Sequence, residues 1–243
     1  MTAAYKSRQD SQPAFVLHGY AFRETSLVLE VFTRNFGRLA LVARGARRPR
    51  SALRGVLLAF QPLLLSWAGR SDLRTLHKAE WQGGLPQLKG AGLLCGFYLN
   101  ELMVKLLARD DPHEELYQIY YQTLRTLSNG GDHAATLRRF EKQMLKELGY
   151  ALTLDHDVAS GDPIQPDRSY EYLIERGPVR CEGGAAENGL ELTGQTLLDM
   201  LRDDYSNPLT LQQSKALMRV LINHYLGDQT LNTRQLLKDL QQL

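Results

Sequence analysis

Thr25-Ser-Leu-Val-Leu-Glu-Val-Phe-Thr33, followed by the turn Arg34-Asn-Phe-Gly37, has the pattern of a β-strand that enters a hairpin. Leu27, Leu29 and Val31 fall on one face of an extended chain, because successive side chains of a strand point to opposite faces. The alternating residues between them fall on the other face. A second apolar run at 37–44 follows the turn, so residues 25–44 are predicted to form a β-hairpin.

Similar short runs, separated by Gly, Pro, Asn and Arg clusters, occur throughout the first eighty residues. They predict strands near 14–20, 25–33, 37–44, 57–67 and 72–80. Five short strands in about eighty residues are typical of a small closed barrel, such as the five-stranded OB barrel that binds oligonucleotides. We therefore predict an N-terminal OB-fold DNA-binding domain over residues 1–80.

From residue 92 the apolar spacing becomes helical, with Leu94, Tyr98 and Leu102 four residues apart. Helices are predicted at 92–109, 113–128, 134–149, 193–204, 209–226 and 232–242. The pattern breaks at 150–192, where Tyr170-Glu-Tyr-Leu-Ile-Glu and nearby glycines predict a small hairpin insertion. The predicted fold class is α+β, with an all-α helical domain over residues 81–243.

The chain has 243 residues, of which 43% are hydrophobic, enough for sizeable cores. Residues 1–13 lack the apolar segment of a signal peptide, and Gln61, Pro62 and Ser66 interrupt the longest apolar run. These features predict a soluble, cytoplasmic protein without a membrane segment. The two cysteines do not indicate a disulfide framework.

Charge is divided unevenly along the chain. Residues 1–80 carry thirteen Lys and Arg against five Asp and Glu, whereas residues 81–243 carry sixteen against twenty-two. Between Glu30 and Asp72 there are eight arginines and no acidic residue. Arginines without nearby carboxylates attract polyanions, of which nucleic acid is the commonest in a cell.

Five of these arginines occur in Arg44-Gly-Ala-Arg-Arg-Pro-Arg-Ser-Ala-Leu-Arg54, between two predicted strands. An ordinary solvated loop is the alternative interpretation. Gly45 and Pro49 disfavour a helix through this segment, and flexible arginines suit a phosphate backbone, which they would bind without sequence specificity. Phe36, at the hairpin turn, is the best aromatic candidate for stacking on bases. The predicted DNA-binding residues are Arg34, Arg38, Arg44, Arg47, Arg48, Arg50 and Arg54.

Neither a metal site nor an enzyme is indicated. Asp155, His156, Asp157 and Cys181 include one cysteine and one histidine, too few for the thiolate-rich set of a structural zinc. Phosphate-binding loops, nucleophile elbows and dinucleotide fingerprints are missing from the sequence. We therefore expect no catalytic residue, metal or cofactor.

Leu137-Arg-Arg-Phe-Glu141 opens a predicted helix with paired cations beside apolar residues. A bundle helix with a basic outer edge is one interpretation. The other is a dock for a peptide that ends in an apolar side chain and a carboxylate, which requires a guanidinium next to an apolar pocket. The candidate dock consists of Leu137, Arg138, Arg139, Phe140 and Leu145.

Short segments in chain order also carry a family resemblance. They are Ala14-Phe-Val-Leu-His, Glu24-Thr-Ser-Leu, Val31-Phe-Thr, Gly37-Arg, Leu41-Val-Ala-Arg-Gly-Ala-Arg, Leu53-Arg-Gly, Gln61-Pro-Leu-Leu-Leu, Tyr98-Leu-Asn-Glu-Leu, Leu137-Arg-Arg-Phe-Glu and Leu148-Gly-Tyr. Together they resemble the bacterial RecO family of DNA repair proteins, from near residue 14 to about residue 150. The last ninety residues resemble it by helical character more than by motif.

The resemblance implies an OB barrel and a helical domain that act in recombinational repair with RecR and, in many bacteria, RecF. It implies binding of single- and double-stranded DNA, annealing of strands coated by single-stranded-DNA-binding protein (SSB), and help in loading RecA. It also favours the helix at Leu137 as the dock for the acidic, Phe-ending C-terminal tail of SSB. Many family members have a four-cysteine zinc module in the region of 155–185, and this chain departs from that pattern. A basic RNA-binding adaptor without annealing activity is the competing function, and a nuclease is third.

Overall fold

The computed structural model describes residues 8–181 and 190–233, and its N-terminal part is a closed five-stranded barrel. The strands are β1 Arg8–Phe22, β2 Ser26–Thr33, β3 Gly37–Ala43, β4 Leu63–Ala68 and β5 Leu73–Trp81. Their order around the barrel is β1-β2-β3-β5-β4, and β1 pairs with β4 to close it. Only the β3–β5 pair among these neighbours is parallel. The arrangement fits the OB fold and confirms the predicted barrel.

The β2–β3 hairpin forms as predicted, with Leu27 opposite Ala43 and Thr33 opposite Gly37. Gly37 has a φ of +65°, and a Cβ at this position would lie 1.9 Å from the Asp111 carbonyl oxygen. Glycine is therefore required here, both for the turn and for the close approach of the backbone. Leu29 and Val31 point into the barrel core.

The opposite face of β2 is also buried, because two helices cover it. These helices are α2, Gly90–Leu106, and α3, Glu114–Ser128. The Phe32 ring lies 5.8 Å from that of Tyr117, and Phe15 meets Tyr120 edge-on at 5.0 Å. Both phenylalanines are 0% exposed. Aromatic packing of this kind anchors the helices on the outside of the barrel.

A buried polar bridge fixes α2 against β1. Asn100 donates from Nδ2 to the Leu17 carbonyl at 2.8 Å, and the Tyr120 hydroxyl donates to Asn100 Oδ1 at 2.5 Å. Leu17 lies where the pairing of β1 with β2 shifts register, between Val16 and His18. Asn100 thus satisfies a main-chain carbonyl at a strand irregularity, which would be costly to bury unpaired. Burial raises the pKa of Tyr120 well above its ordinary value, so the hydroxyl remains a donor.

Residues 132–230 form a second compact unit. Its elements are α4 His133–Glu147, β6 Ser169–Leu173, β7 Gly177–Arg180, β8 Leu190–Thr193, α5 Gly194–Leu201 and α6 Pro208–Leu226. Strand β6 is central and pairs antiparallel with both β7 and β8. Asp132 caps α4 by accepting from the Ala134 and Ala135 amides, and Asn207 caps α6.

The compact units divide the chain at a different place from the predicted domains. The sequence places a boundary after residue 80, where the barrel ends, whereas the first unit continues to Gly131 and includes 231–233. The difference arises because α2 and α3, which the sequence assigns to the helical domain, bury their apolar side chains on barrel strands.

Smaller differences concern single elements. A one-turn helix, α1, spans Leu53–Val56, just beyond the segment where Gly45 and Pro49 disfavour helix. β4 begins at Leu63 instead of 57, and β8 extends the predicted hairpin to three strands. The predicted helix at 232–242 lies mostly outside the described residues.

Candidate nucleic-acid interface

The loop of residues 44–54, here called the cationic loop, leaves β3, turns back on itself and ends in the first residues of α1. Gly45 has a φ of +66°, and the Arg48 and Ser51 amides donate to the Gly45 and Arg48 carbonyls at 3.1 and 3.0 Å. The Arg47 amide donates to the Thr25 carbonyl at 2.8 Å, which ties the loop to the β1–β2 turn. The loop is therefore a series of local turns, anchored to the barrel by Arg47 and by the buried Ala46.

Five arginines extend from the cationic loop into solvent. All five are exposed, and among the described residues none of them takes part in an ion pair. They are Arg44, Arg47, Arg48, Arg50 and Arg54. Their positive charges are thus concentrated on one surface and are not neutralised by carboxylates, which is the electrostatic requirement for binding a phosphate backbone.

Arg34 and Arg38 do not belong to this surface, contrary to the grouping made from the sequence. Arg34 donates from Nε to Glu114 at 2.8 Å. Arg38 has only 14% of its side chain exposed, donates to Glu30 at 2.8 Å and donates to the Leu107 carbonyl at 3.0 Å. Glu30 also pairs with Arg109. The charge of Arg38 is neutralised in a largely buried ion pair and that of Arg34 in a surface ion pair with α3.

Sequence reasoning missed Arg23, an exposed residue on the β1–β2 turn. Arg47 donates from Nη1 to the Arg23 and Glu24 carbonyls at 3.4 and 3.3 Å, so this turn lies beside the cationic loop. Glu24 is exposed as well, and the turn therefore adds no net charge. The sequence could have indicated Arg23 as an exposed cation, since it occupies the turn between two predicted strands.

The exposed aromatic side chains also differ from the expected one. Phe36 is half-buried and packs edge-on against Trp67 at 5.5 Å, so its ring serves the barrel core. Tyr20 and Trp81 are 46% and 62% exposed. These two rings, instead of Phe36, are available on the barrel for stacking.

The candidate peptide dock on α4 is largely internal. Phe140 and Leu145 are 1% and 0% exposed. Arg138 is buried and donates to Glu141 at 2.6 Å, a pairing across one helical turn. Leu137 is half-buried. Of the five candidates only Arg139 is exposed, because the apolar residues of this helix form the core of the second unit.

Arg139 lies on a different apolar surface from the one predicted. It donates to the Asp203 carbonyl at 3.0 Å, and its guanidinium lies 5.4 Å from the Tyr205 ring centroid. A carbonyl does not neutralise the guanidinium, so Arg139 keeps its charge. Leu201, two residues before Asp203, is 47% exposed. An exposed cation and an exposed leucine thus occur together at the end of α5.

The residues considered for a metal have other roles. Asp157 Oδ1 accepts from the Ala159 amide at 2.7 Å, and Oδ2 accepts from the Arg180 amide at 3.0 Å. Burial opposes the charge of Asp157, but these backbone hydrogen bonds lower its pKa overall. Burial, with the carboxylates of Glu191 and Glu171, raises the pKa of the Cys181 thiol. Across residues 8–181 and 190–233 no group of three His, Cys, Asp or Glu side chains is arranged to hold a metal.

We expect the purified protein to contain no stoichiometric zinc, and chelation to leave its unfolding transition unchanged. A structural zinc needs a closed set of four ligands, usually thiolates and imidazoles, whereas the described residues bring no three such side chains together and both oxygens of Asp157 accept hydrogen bonds from backbone amides. Elemental analysis after dialysis, with thermal melting in the presence and absence of EDTA, measures both. One zinc per chain would contradict this account of the segment.

The barrel, its cationic loop and the helical unit define a class: an OB-type barrel protein with an appended α-helical unit. The family model described as Recombination protein O N terminal matches residues 8–84, and the one described as Recombination protein O C terminal matches residues 88–235. The chain therefore belongs to the RecO family of DNA repair proteins. The family match extends well beyond residue 150, where the recognisable motifs end.

Curated relatives agree with this assignment. The DNA repair protein RecO of Nitrosospira multiformis is 61% identical over 238 residues, which cover 98% of each chain. Those of Aromatoleum aromaticum and Dechloromonas aromatica are 56% and 54% identical, each over 98% of this chain and 99% of the relative. None of the helices in the described part of the chain has the length and apolar character that crossing a bilayer demands.

Proposed function

We propose that this protein is a recombination mediator, which binds single- and double-stranded DNA, anneals complementary strands coated by SSB and helps RecR to load RecA. The observation that carries the proposal is the cationic loop, whose five exposed arginines have no acidic partner among the described residues. An OB-type barrel with such a loop suits a phosphate backbone. Family membership supports the role in repair.

Annealing by this route needs only electrostatics. Two strands repel through their phosphates, and a protein that neutralises both while leaving the base edges accessible lowers the barrier to pairing. No bond is made or broken by the protein, so the proposal requires no catalytic residue, metal or cofactor. RecF is a further partner under this proposal, and the action takes place in the cytoplasm.

The direct test is to mix SSB-coated complementary oligonucleotides with the protein in EDTA and without nucleotide. A mediator converts them to duplex, because neither metal nor nucleotide is involved. A labelled strand and its complement, followed by native electrophoresis, measure the duplex formed. Binding without duplex formation, together with a preference for RNA, would favour a basic RNA-binding adaptor. Shortened strands would indicate a nuclease.

For the SSB tail, we expect Arg139→Ala to weaken binding of a Phe-ending tail peptide by about tenfold, as for loss of a charge-assisted hydrogen bond. Arg139 is the exposed cation of the α4 candidates and donates to the carbonyl of Asp203, two residues after the exposed Leu201. Fluorescence anisotropy of the labelled peptide measures the affinity. Arg138 is a poor choice, because removing it breaks a buried ion pair with Glu141.

Lys146→Ala is the matched control for Arg139→Ala, since Lys146 is exposed on the same helix. The control should bind the tail peptide normally. Both variants should anneal bare strands, and only Arg139→Ala should fail to anneal SSB-coated strands. Normal peptide binding by Arg139→Ala would show that the tail docks elsewhere.

A further inference from the structure

A half-open pocket lies beside the cationic loop. Its volume is about 370 Å³, and four apolar residues line part of it: Leu27, Ala46, Leu53 and Leu57. Arg47 and Arg54 complete the lining. Apolar side chains and two cations therefore share one opening, beside the loop that the proposed function assigns to phosphates.

The local fold of the loop explains why this pocket exists. Ala46 is 1% exposed and belongs to the barrel core, whereas Leu27, Leu53 and Leu57 pack only partly against that core. Leu53 begins α1, and the Leu57 amide donates to the Leu53 carbonyl at 2.9 Å. The turn of helix thus holds two leucines at the pocket while part of their surface stays open.

Arg47 is held in place at the pocket without losing its charge. Its amide donates to the Thr25 carbonyl, and Nη1 donates to the carbonyls of Arg23 and Glu24. Carbonyl oxygens orient a guanidinium but do not neutralise it. Arg54 is exposed, and the described residues offer it no ion pair. An anion next to the pocket would meet two positive charges.

The matching ligand joins a flat ring with apolar faces to an anion, as a nucleotide does in its base and phosphate, and the open side of the pocket leaves the polar edges of the base in water. The pocket volume is near the lower end of the range of about 300–1,000 Å³ for small-ligand sites, which suits a single base. A base within a duplex is stacked and paired and must be flipped out before it could enter. An unpaired base enters without that cost.

We propose that the pocket takes one unpaired nucleobase of a single strand, while Arg47 and Arg54 hold the adjoining phosphates. The inference rests on the proposed function, since it assumes that DNA meets the cationic loop. Leucine and alanine side chains offer no hydrogen bonds to a base edge, so the pocket accepts bases by shape and apolarity and not by sequence. It would make this site prefer single strands to duplex.

The test compares two labelled strands of equal length, one of thymidines and one abasic, by anisotropy. Both strands carry the same phosphates, so electrostatic binding is equal for the two. We expect the wild-type protein to bind the abasic strand about tenfold more weakly, in the range that one base contact contributes. Leu53→Gln, which makes the lining polar without adding a charge or an aromatic ring, should bring the ratio of the two affinities towards one.

Leu58→Gln is the matched control, because Leu58 is an exposed neighbour that does not line the pocket. It should keep the wild-type ratio, and thermal melting establishes that both variants fold. If Leu53→Gln keeps the wild-type ratio, the pocket does not hold a base. An unchanged ratio in Leu53→Gln, together with weaker binding of RecR, would identify an apolar side chain of a protein as the occupant and overturn the proposal.

A crosslinking measurement on the wild-type protein is independent of any variant. A strand with one 5-iodouracil should crosslink on irradiation to the segment 44–57 or to β2, where the lining residues lie. Crosslinks found only on other segments would overturn the proposal. Failure of the proposed function gives a different result. If DNA does not bind the cationic loop, replacing its arginines leaves the affinity for both strands unchanged.

Discussion

Exchanging the five exposed arginines of the cationic loop for glutamine should weaken binding of single-stranded DNA roughly a thousandfold near ~0.15 M salt. Each arginine that neutralises a phosphate contributes about 0.7 to the slope of log affinity against log salt, which is about fourfold in affinity at that salt concentration. Five contacts give a wild-type slope of about −3.5, and the variant should approach zero. Anisotropy titrations at several salt concentrations measure both quantities.

Glutamine replacement of five exposed cations in other parts of the chain is the matched control. These residues are Arg125, Lys146, Arg168, Lys215 and Arg219. The control removes the same amount of charge. A general effect of net charge would therefore weaken DNA binding in both variants, whereas an interface at the cationic loop would weaken it only in the loop variant. A smaller variant, Arg47→Ala with Arg48→Ala, should make the slope shallower by about 1.4. An unchanged slope in this pair would place the interface elsewhere.

Replacing Glu30 by Gln should lower the free energy of unfolding of the first unit by about 3 kcal/mol. Glu30 is 5% exposed and pairs with both Arg38 and Arg109. Without its negative charge the two guanidinium groups face each other, and Arg38 is too buried to be hydrated. Arg109 has 40% of its side chain exposed and can become hydrated. The expected loss is therefore at the lower end of the range of about 3–5 kcal/mol for breaking a buried ion pair.

Urea unfolding followed by tryptophan fluorescence measures this loss selectively. The chain has two tryptophans, Trp67 and Trp81, and both lie in barrel strands. Glu114→Gln is the control, since Glu114 pairs with Arg34 at the surface and has 58% of its side chain exposed. It should cost less than about 1 kcal/mol, because exposed ion pairs are weak and screened. Equal losses in the two variants would show that the Glu30 cluster is not effectively buried.

The β2–β3 hairpin and the barrel could be predicted from the sequence because the interactions that define them are local. Strand alternation identifies Leu29 and Val31 as core residues, and the position of Gly37 marks the turn. The cationic loop could be predicted for the same reason, since its five arginines are close together in the chain and the sequence between Glu30 and Asp72 contains no acidic residue.

The roles of Glu30 and Arg38 depend on contacts between distant parts of the chain and could not be predicted. Glu30 lies on the face of β2 opposite to Leu29 and Val31, and Arg109, seventy-nine residues later, is one of its partners. A count of charges along the sequence treats Arg38 as unpaired, because such a count does not show that α2 and α3 pack beside it. Only tertiary packing shows that this face of the barrel is covered.

Most side chains of the peptide dock predicted on α4 are buried, for a reason that the sequence does contain. Arg138 and Glu141 are three residues apart, the spacing of an ion pair along one helix face. Phe140 and Met144 are four apart and are both buried. Together these spacings indicate a core face that carries its own ion pair, and not an open pocket with two available cations.

The bridge from Leu17 through Asn100 to Tyr120 means that one face of the barrel stays uncovered during synthesis until α2 and α3 have been made. Until Tyr120 has left the ribosome, the rings of Phe15 and Phe32 and the Leu17 carbonyl lack the helices that cover them. A nascent chain that ends near residue 84 would therefore expose an apolar patch and invite aggregation or chaperone binding. The first part of the polypeptide able to reach a stable state by itself extends through α3, which makes it half as long again as the barrel.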